Sequence, residues 1–298
     1  MPLPAIAPKS AAEITLEVSS ATCAKSAAIK FLADSLADFK IASESVRVMA
    51  VNGIKRTADY QSIKYARQYL TRVHDLIQLE SDHGNGTARL LNETARYTAL
   101  WMTYEDTIRV ADLKTRGSRF NRVSKEARIN DEQIMEVREY LHPMSEEIAD
   151  TLPTPIGKWI LRTKPVTKII EKITQNGMIL NTASIGGYLL LYTLSRLKPI
   201  RPRSLRFNLE QERIEIWLGR IKKFTPVNYD LACEVAECAN VIKGYGDTHR
   251  NGWRNFTSIM DEADKVANNA NAALRVKELR IAALADEDGS KLRELLVV

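Results

Sequence analysis

Apolar residues along this chain recur mostly at spacings of three and four, which is the period of helices packed on one side, so the pattern predicts a mainly α protein. Residues 11–50 are Ala-rich with apolar repeats at Ala28, Phe31, Leu32, Leu36 and Phe39 that suit one or two helices, ending before "VNGIKR", where Asn52-Gly53 punctuates. The stretch "TADYQSIKYARQYLTRVHDLI" follows as an amphipathic helix with Asp59 near its start and Tyr60, Ile63, Tyr65, Tyr69, Leu70, Val73 and Leu76 on its apolar side. "SDHGNGT" at 81–87 reads as a loop. "RLLNETARYTALWMTYEDTIRVADLKTR" is the longest helical signal and should end at Gly117. A further helix is expected at about 131–141.

Pro153 and Pro155 in "LPTPIGKW" break helices from both sides, so the expected organisation is a tail at 1–10, a helical region at 11–151 and a second at 152–298. Residues 178–195, "MILNTASIGGYLLLYTLS", carry no charge and touch the lower length limit for a membrane span. Asn181, Thr182, Ser184 and Gly186-Gly187 make the first half too polar for that. The segment is therefore expected as a buried apolar helix at the centre of a multi-helix, bundle-like fold. Helices are expected from near Leu209, over about 228–242 and over about 254–285.

Composition agrees with the pattern. The 298 residues are 45% hydrophobic, with only 13 Gly and 10 Pro, which suits helices better than turn-rich β architectures. Forty-three basic residues exceed 37 acidic ones, giving +6, but the two signs are mixed along most helices. Three cysteines, Cys23, Cys233 and Cys238, are too few and wrongly spaced for a disulfide framework or an iron–sulfur cluster. No metal site is expected. The opening "MPLPAIAPKSAAEITLEV" puts three prolines where a secretory signal needs an apolar core, so a cytoplasmic protein with no membrane partner is expected.

Candidate chemistry gathers in three places. "KGYGDTHRNGWRNF", residues 243–256, holds glycines, cations and a histidine, and from it Lys243, Tyr245, Asp247, Thr248, His249, Arg250 and Arg254 form a candidate ligand or partner site. It fails the dinucleotide fingerprint, having His at 249 where a glycine is needed, and no Walker lysine or His-Glu-x-x-His occurs. Two readings stay open: a polar corner whose side chains satisfy helix ends, or a pocket for phosphate or carboxylate groups built on Lys243, His249, Arg250 and Arg254. A self-contained enzyme with His249 and Asp247 as acid and base is the sharper form of the second. The ladder Glu105, Asp106, Arg109, Asp112, Lys114, Arg116 and Arg119 reads as an ion network between helices beside Trp101, Met102 and Tyr104. "KPIRPRSLR" supplies a basic cluster, Lys198, Arg201, Arg203 and Arg206. It lacks the interleaved aromatics on which single-stranded nucleic acid stacks, so nucleic acid is not the expected partner.

Five stretches, "DYQSIKYARQYL", "YEDTIRVADLKTRGSRFNRV", "HPMSEEIADTLP", "RSLRFNLEQERIEIWL" and "IKGYGDTHRNGWRNF", together resemble the C-terminal region of bacterial indolepyruvate ferredoxin oxidoreductase beta-type subunits. The resemblance covers roughly residues 57–262. It implies a helical region that in such subunits follows a gamma-type module, which is expected to be lacking here. It also implies complexes that oxidatively decarboxylate aryl pyruvates to acyl-CoA, with thiamine diphosphate and iron–sulfur clusters on an alpha-type partner subunit. On that basis this chain is expected to carry no cofactor, not to be catalytic alone, and to dock on the alpha-type subunit, with a separate gamma-type module as a possible second partner. The alternative is a stand-alone binding protein for anionic ligands or RNA that uses the basic clusters.

Overall fold

A computed structural model of the protein describes residues 43–128, 136–141, 143–175, 177–244, 246–286 and 288–297. The expected tail at 1–10, the helical pattern up to residue 42, Cys23 and Tyr245 lie outside the described residues. The described chain is mainly helical, as the apolar period requires.

The chain forms two compact units, and neither follows the linear cut at 152. Unit 1 takes the described residues up to Thr103, then Arg213–Lys243, and those from Thr248 on; unit 2 takes Tyr104–Glu212 and Gly244–Asp247. The prolines that suggested a linker are instead built into a helix start: Pro153 is the N-cap of a helix Thr154–Arg162, whose first turn carries Pro155. A proline there loses nothing, since first-turn amides have no intrahelical partner.

Unit 1 begins with α1 (Glu44–Tyr60), α2 (Ile63–His74), α3 (Ile77–His83) and α4 (Arg89–Met102). The Asn52-Gly53 pair does not end a helix, because α1 runs straight through it. Gly53 is a close-approach glycine: a Cβ there would sit 2.6 Å from Tyr69 Cε1 and nearer still to Cζ and Oη. The end of the ring packs against α1 at Gly53, and its hydroxyl donates to the Ala95 carbonyl at 3.1 Å. The next break comes at Ser62, which caps α2 by accepting from the Tyr65 amide at 3.2 Å. Asp59 therefore closes α1 rather than opening α2. The loop expected at 81–87 starts later, since α3 extends to His83.

The rest of unit 1 is the C-terminal part of α11 (Leu205–Phe224), α12 (Tyr229–Glu237) with a 3-10 turn Cys238–Val241, α13 (Gly246–Val266) from Thr248 on, α14 (Ala272–Ala285) and α15 (Ser290–Val297). Trp217 on α11 is fully buried, donates to the Val235 carbonyl at 2.9 Å, and has the Trp101 ring 5.4 Å away. Trp101 in turn meets Phe256 edge-on at 5.4 Å. With Tyr60, Tyr65, Tyr69, Leu90, Leu91, Ile214, Ile221 and Phe224, this aromatic cluster gives unit 1 a large dry core.

Unit 2 contains α5 (Thr107–Thr115), α6 (Gly117–Glu126), β1 (Arg138–Leu141), α7 (Ser145–Thr151), α8 (Thr154–Arg162), α9 (Lys164–Thr174), β2 (Met178–Asn181), α10 (Ile185–Ser195) and the start of α11. The single long helix expected over 89–116 is broken at Thr103–Asp106. Asp106 caps α5 by accepting from the Arg109 amide at 2.6 Å, and an Asp in that role outcompetes helix continuation. Gly117 opens α6 instead of closing the helix before it. The helix expected at 131–141 is, where described, the strand β1, which pairs antiparallel with β2 in the register Arg138 to Asn181 through Leu141 to Met178.

The uncharged run 178–195 is not a buried central helix. It divides into β2, a turn at 182–184 and α10, and α10 buries only Gly187 and Leu191. The division follows from chemistry already in the run: Ser184 caps α10 by accepting from the Gly187 amide at 3.2 Å, and Asn181 supplies the turn. Among the described residues no helix is long and apolar enough to cross a membrane.

Candidate partner-docking surface

The stretch 243–256 is a helix start rather than a loop. Gly244 and Gly246 both hold left-handed backbone, with φ of 65° and 59°, and α13 begins at Gly246. Within unit 1, Gly252 lets α13 approach the preceding backbone, since a Cβ there would lie 2.6 Å from the Val241 carbonyl. Two of the motif's glycines are thus explained by backbone conformation and a third by close packing.

Of the residues proposed as a ligand site, Lys243, Thr248, Arg250 and Arg254 are exposed and His249 is buried. Asp247 is exposed in the first turn of α13 and belongs to unit 2. Arg254 donates to the Asp288 carbonyl at 3.1 Å. Lys243 and Thr248 line a cavity of about 40 Å³ with Gly252 and Asn255, while His249, Arg250 and Arg254 do not line it. That volume is near the share of one water molecule.

The charged ladder is an ion network inside unit 2. Asp106 receives Arg201 Nε at 2.6 Å and Nη2 at 3.0 Å, with Arg201 only 1% exposed. Asp112 takes Arg109 at 3.0 Å and Arg116 at 2.5 Å, and Lys114 and Arg119 both pair with Glu139 on β1. Glu105 is exposed. The basic cluster dissolves for the same reason. Arg201 is spent on Asp106, and Arg206 pairs with the fully buried Glu210 at 2.5 Å, lies near Asp150 and stacks over the Tyr104 ring at 5.4 Å. Burial opposes the Arg206 charge, but Glu210 and Asp150 more than offset it and hold its pKa above the ordinary arginine range. Only Arg203 of the three is exposed.

A second network, which sequence reasoning missed, ties three helices of unit 1 together. Arg89 on α4 binds Glu234 at 2.6 Å and Glu237 at 2.5 Å on α12, and Arg280 on α14 reaches both carboxylates at 2.7 Å. The signal was present in "LACEVAEC", where two glutamates three apart interrupt an otherwise apolar helix face. Among the described residues, no group of three His, Cys, Asp or Glu is placed to hold a metal ion. Cys233 and Cys238 are buried, and burial pushes the Cys233 thiol up to about 12 and that of Cys238 higher. These are thiols that resist ionising to become ligands.

Beside its charged residues, unit 2 exposes many large apolar side chains. Among the described residues its buried large apolar side chains are few, mainly Ile108, Ile160, Leu191, Leu205 and Phe207. Most of the exposed large apolar side chains of the described chain fall between residues 140 and 200, including Tyr140, Trp159, Ile173, Ile179, Ile185 and Leu189. Ile185 is 82% exposed and Ile173 75%. Along α10, Ile185, Tyr188, Leu189 and Tyr192 share one face, and with Phe120 of α6 and residues 182–184 the first three line an open groove of about 390 Å³. Tyr188 stacks on Tyr192 at 6.1 Å and meets Phe120 at 6.4 Å. Single exposed apolar residues are ordinary, but this concentration in one unit makes its surface a candidate for docking.

A family of unknown function, DUF6537, matches residues 46–262. No curated protein and no solved structure matches the chain.

Proposed function

We propose that this chain, which belongs to the family of unknown function DUF6537, is a helical docking subunit or domain of an assembly resembling the indolepyruvate ferredoxin oxidoreductases. In this reading oxidative decarboxylation of a 2-oxoacid to acyl-CoA takes place on an alpha-type partner in the cytoplasm. Thiamine diphosphate and iron–sulfur clusters supply the chemistry there, and a separate gamma-type module can complete the assembly. The observation that carries the docking role is α10, an uncharged helix whose Ile185, Leu189 and Tyr192 face solvent although unit 2 has only a small core to bury. An apolar face of that kind gains free energy by leaving water, at about 25 cal/mol per Å² covered.

In this reading the chain contributes contact and positioning while its partner carries the cofactor chemistry. The burial of His249 and the raised thiol pKa of the two described cysteines, Cys233 and Cys238, support it. The alternative of a stand-alone binder of anionic ligands or RNA has less support, because Arg201 and Arg206 are engaged in internal ion pairs.

Sedimentation of the purified chain mixed with an alpha-type subunit from the same genome tests the reading, alongside 2-oxoacid-dependent ferredoxin reduction. The expected result is a stable complex whose activity the chain raises. Ile185→Glu with Leu189→Glu should abolish the complex while far-UV circular dichroism stays unchanged. No association, or oxidation of 2-oxoacids by this chain alone, would refute it.

A further inference from the structure

Four Asn-Gly pairs occur in the sequence, at Asn52, Asn85, Asn176 and Asn251. In this dipeptide the backbone nitrogen meets least obstruction on its way to the preceding side-chain amide, because glycine has no Cβ to hinder it. Asn52 and Asn251 lie inside α1 and α13, where the amide of the following glycine is committed to a carbonyl four residues back. Asn176 lies outside the described residues. Asn85 stands in the short connection between α3 and α4, exposed together with Gly86 and Thr87. Gly86 holds left-handed backbone with φ of 84°, and the space where a side chain would sit is open. Among the described residues no acceptor takes the Gly86 amide. The Asn85 side chain folds forward over this backbone: its Oδ1 accepts from the Thr87 amide at 3.1 Å and from the Thr87 hydroxyl at 2.6 Å. That hydroxyl is oriented in turn by the Arg89 amide, which donates to it at 3.4 Å.

Independently of any docking role, we propose that Asn85 is a self-modifying site, converted on the folded chain to isoaspartate and aspartate, with Thr87 as its positioning residue. The Gly86 nitrogen loses its proton to water and bonds to Cγ of Asn85. Negative charge gathers on Oδ1 in that step, between the two Thr87 donors, whose hydrogen bonds strengthen as the charge grows. The Cγ–Nδ2 bond then breaks, and ammonia leaves with a proton returned from water. A five-membered imide remains. Water opens it at Cγ to give aspartate, or at the main-chain carbonyl carbon of residue 85 to give isoaspartate, in which the chain runs through the former side chain. Water is the one co-reactant, and nothing is oxidised or reduced. The start of α4 tolerates the change because its first amides are held from elsewhere: Leu90 donates to the Tyr229 hydroxyl at 3.2 Å and Leu91 to the Glu80 carboxylate at 3.0 Å. The product therefore accumulates, with an added negative charge, on a chain that stays folded.

The test incubates the full chain at mildly alkaline pH, where the attacking nitrogen loses its proton more readily. Peptide mapping by mass spectrometry, with electron-transfer fragmentation, then separates isoaspartate from aspartate at each position. Asn85 should convert roughly tenfold or more faster than Asn52 and Asn251, which react only when their helices open. In concentrated urea the three rates should converge. Thr87→Val keeps the shape and loses the hydroxyl, so it should slow Asn85 several-fold, whereas Thr87→Ser should keep the native rate, with circular dichroism unchanged in both. Conversion of Asn85 no faster than of Asn52 and Asn251 in the folded chain would overturn the proposal. So would a rate difference that persists in urea, or a Thr87→Val rate equal to that of Thr87→Ser.

Discussion

Replacing Gly53 by alanine should destabilise unit 1, although alanine is the better helix former. At an exposed helical site the change gains roughly 1 kcal/mol. At Gly53 the new methyl would meet the Tyr69 ring at 2.6 Å or less, far inside van der Waals contact, and the ring is fully buried with no room to retreat. Overpacking of that kind costs typically about 1–3 kcal/mol, and pulling the hydroxyl off the Ala95 carbonyl adds roughly 1 more. The net expectation is a loss of about 1–3 kcal/mol. Gly219 on α11 is the control, because a Cβ there meets nothing within 4 Å, so Gly219→Ala should raise stability by up to about 1 kcal/mol. Urea denaturation followed by tryptophan fluorescence measures both. Three of the four tryptophans, Trp101, Trp217 and Trp253, lie in unit 1, and a Trp159→Phe background makes the signal report that unit. Tyr69→Leu should relieve part of the Gly53→Ala penalty, a non-additivity that direct contact requires. Equal stabilisation by both glycine replacements would refute the reasoning.

Other perturbations test other parts of the structure. Arg201→Ala strands the Asp106 carboxylate and should cost about 3–5 kcal/mol in unfolding experiments; Arg201→Lys should recover only part of this, since lysine cannot make the two-pronged contact. In a Cys23→Ser background, Cys233 and Cys238 should react with a disulfide reagent only as fast as the protein unfolds, because burial keeps both thiols protonated and covered. Glu93 has its pKa raised, first by burial and then by the charge of Glu237, so the folded state holds that proton more tightly than the unfolded state. Stability should therefore fall as pH rises from the ordinary carboxylate range through the raised value, and Glu93→Gln should lessen that fall in urea midpoints measured across the acidic range.

The helical character of the chain was legible because burial on one side of a helix imposes its period on the sequence. Tyr65, Tyr69, Leu70 and Val73 were read correctly as one inward face for that reason. The ends of helices were less legible where one residue type serves opposite purposes. Gly53 looks like a terminator and is a packing glycine, whereas Asp106 and Ser62 cap new helices inside patterns that looked continuous. The 178–195 run misled because lack of charge implies burial only if something in the same chain covers it. Ile185 and Leu189 satisfy the pattern of a core helix and still face solvent, and a sequence does not say whether the cover belongs to the same polypeptide. The basic cluster misled in the converse way. Arg201 is close in sequence to other cations, but the carboxylate that neutralises it, Asp106, is far away along the chain, and Arg206 is neutralised partly by the distant Asp150 and partly by Glu210 one turn on, whose burial the sequence does not display.

The central claim is that another protein covers the apolar surface of unit 2. Hydrogen–deuterium exchange across α10, with and without the alpha-type subunit, measures that covering directly. Slower exchange of the Ile185–Ser195 amides in the mixture, with unit 1 helices such as α4 unchanged, is the predicted result. Identical exchange of α10 in the two samples, at concentrations where sedimentation shows the proteins associated, would contradict it.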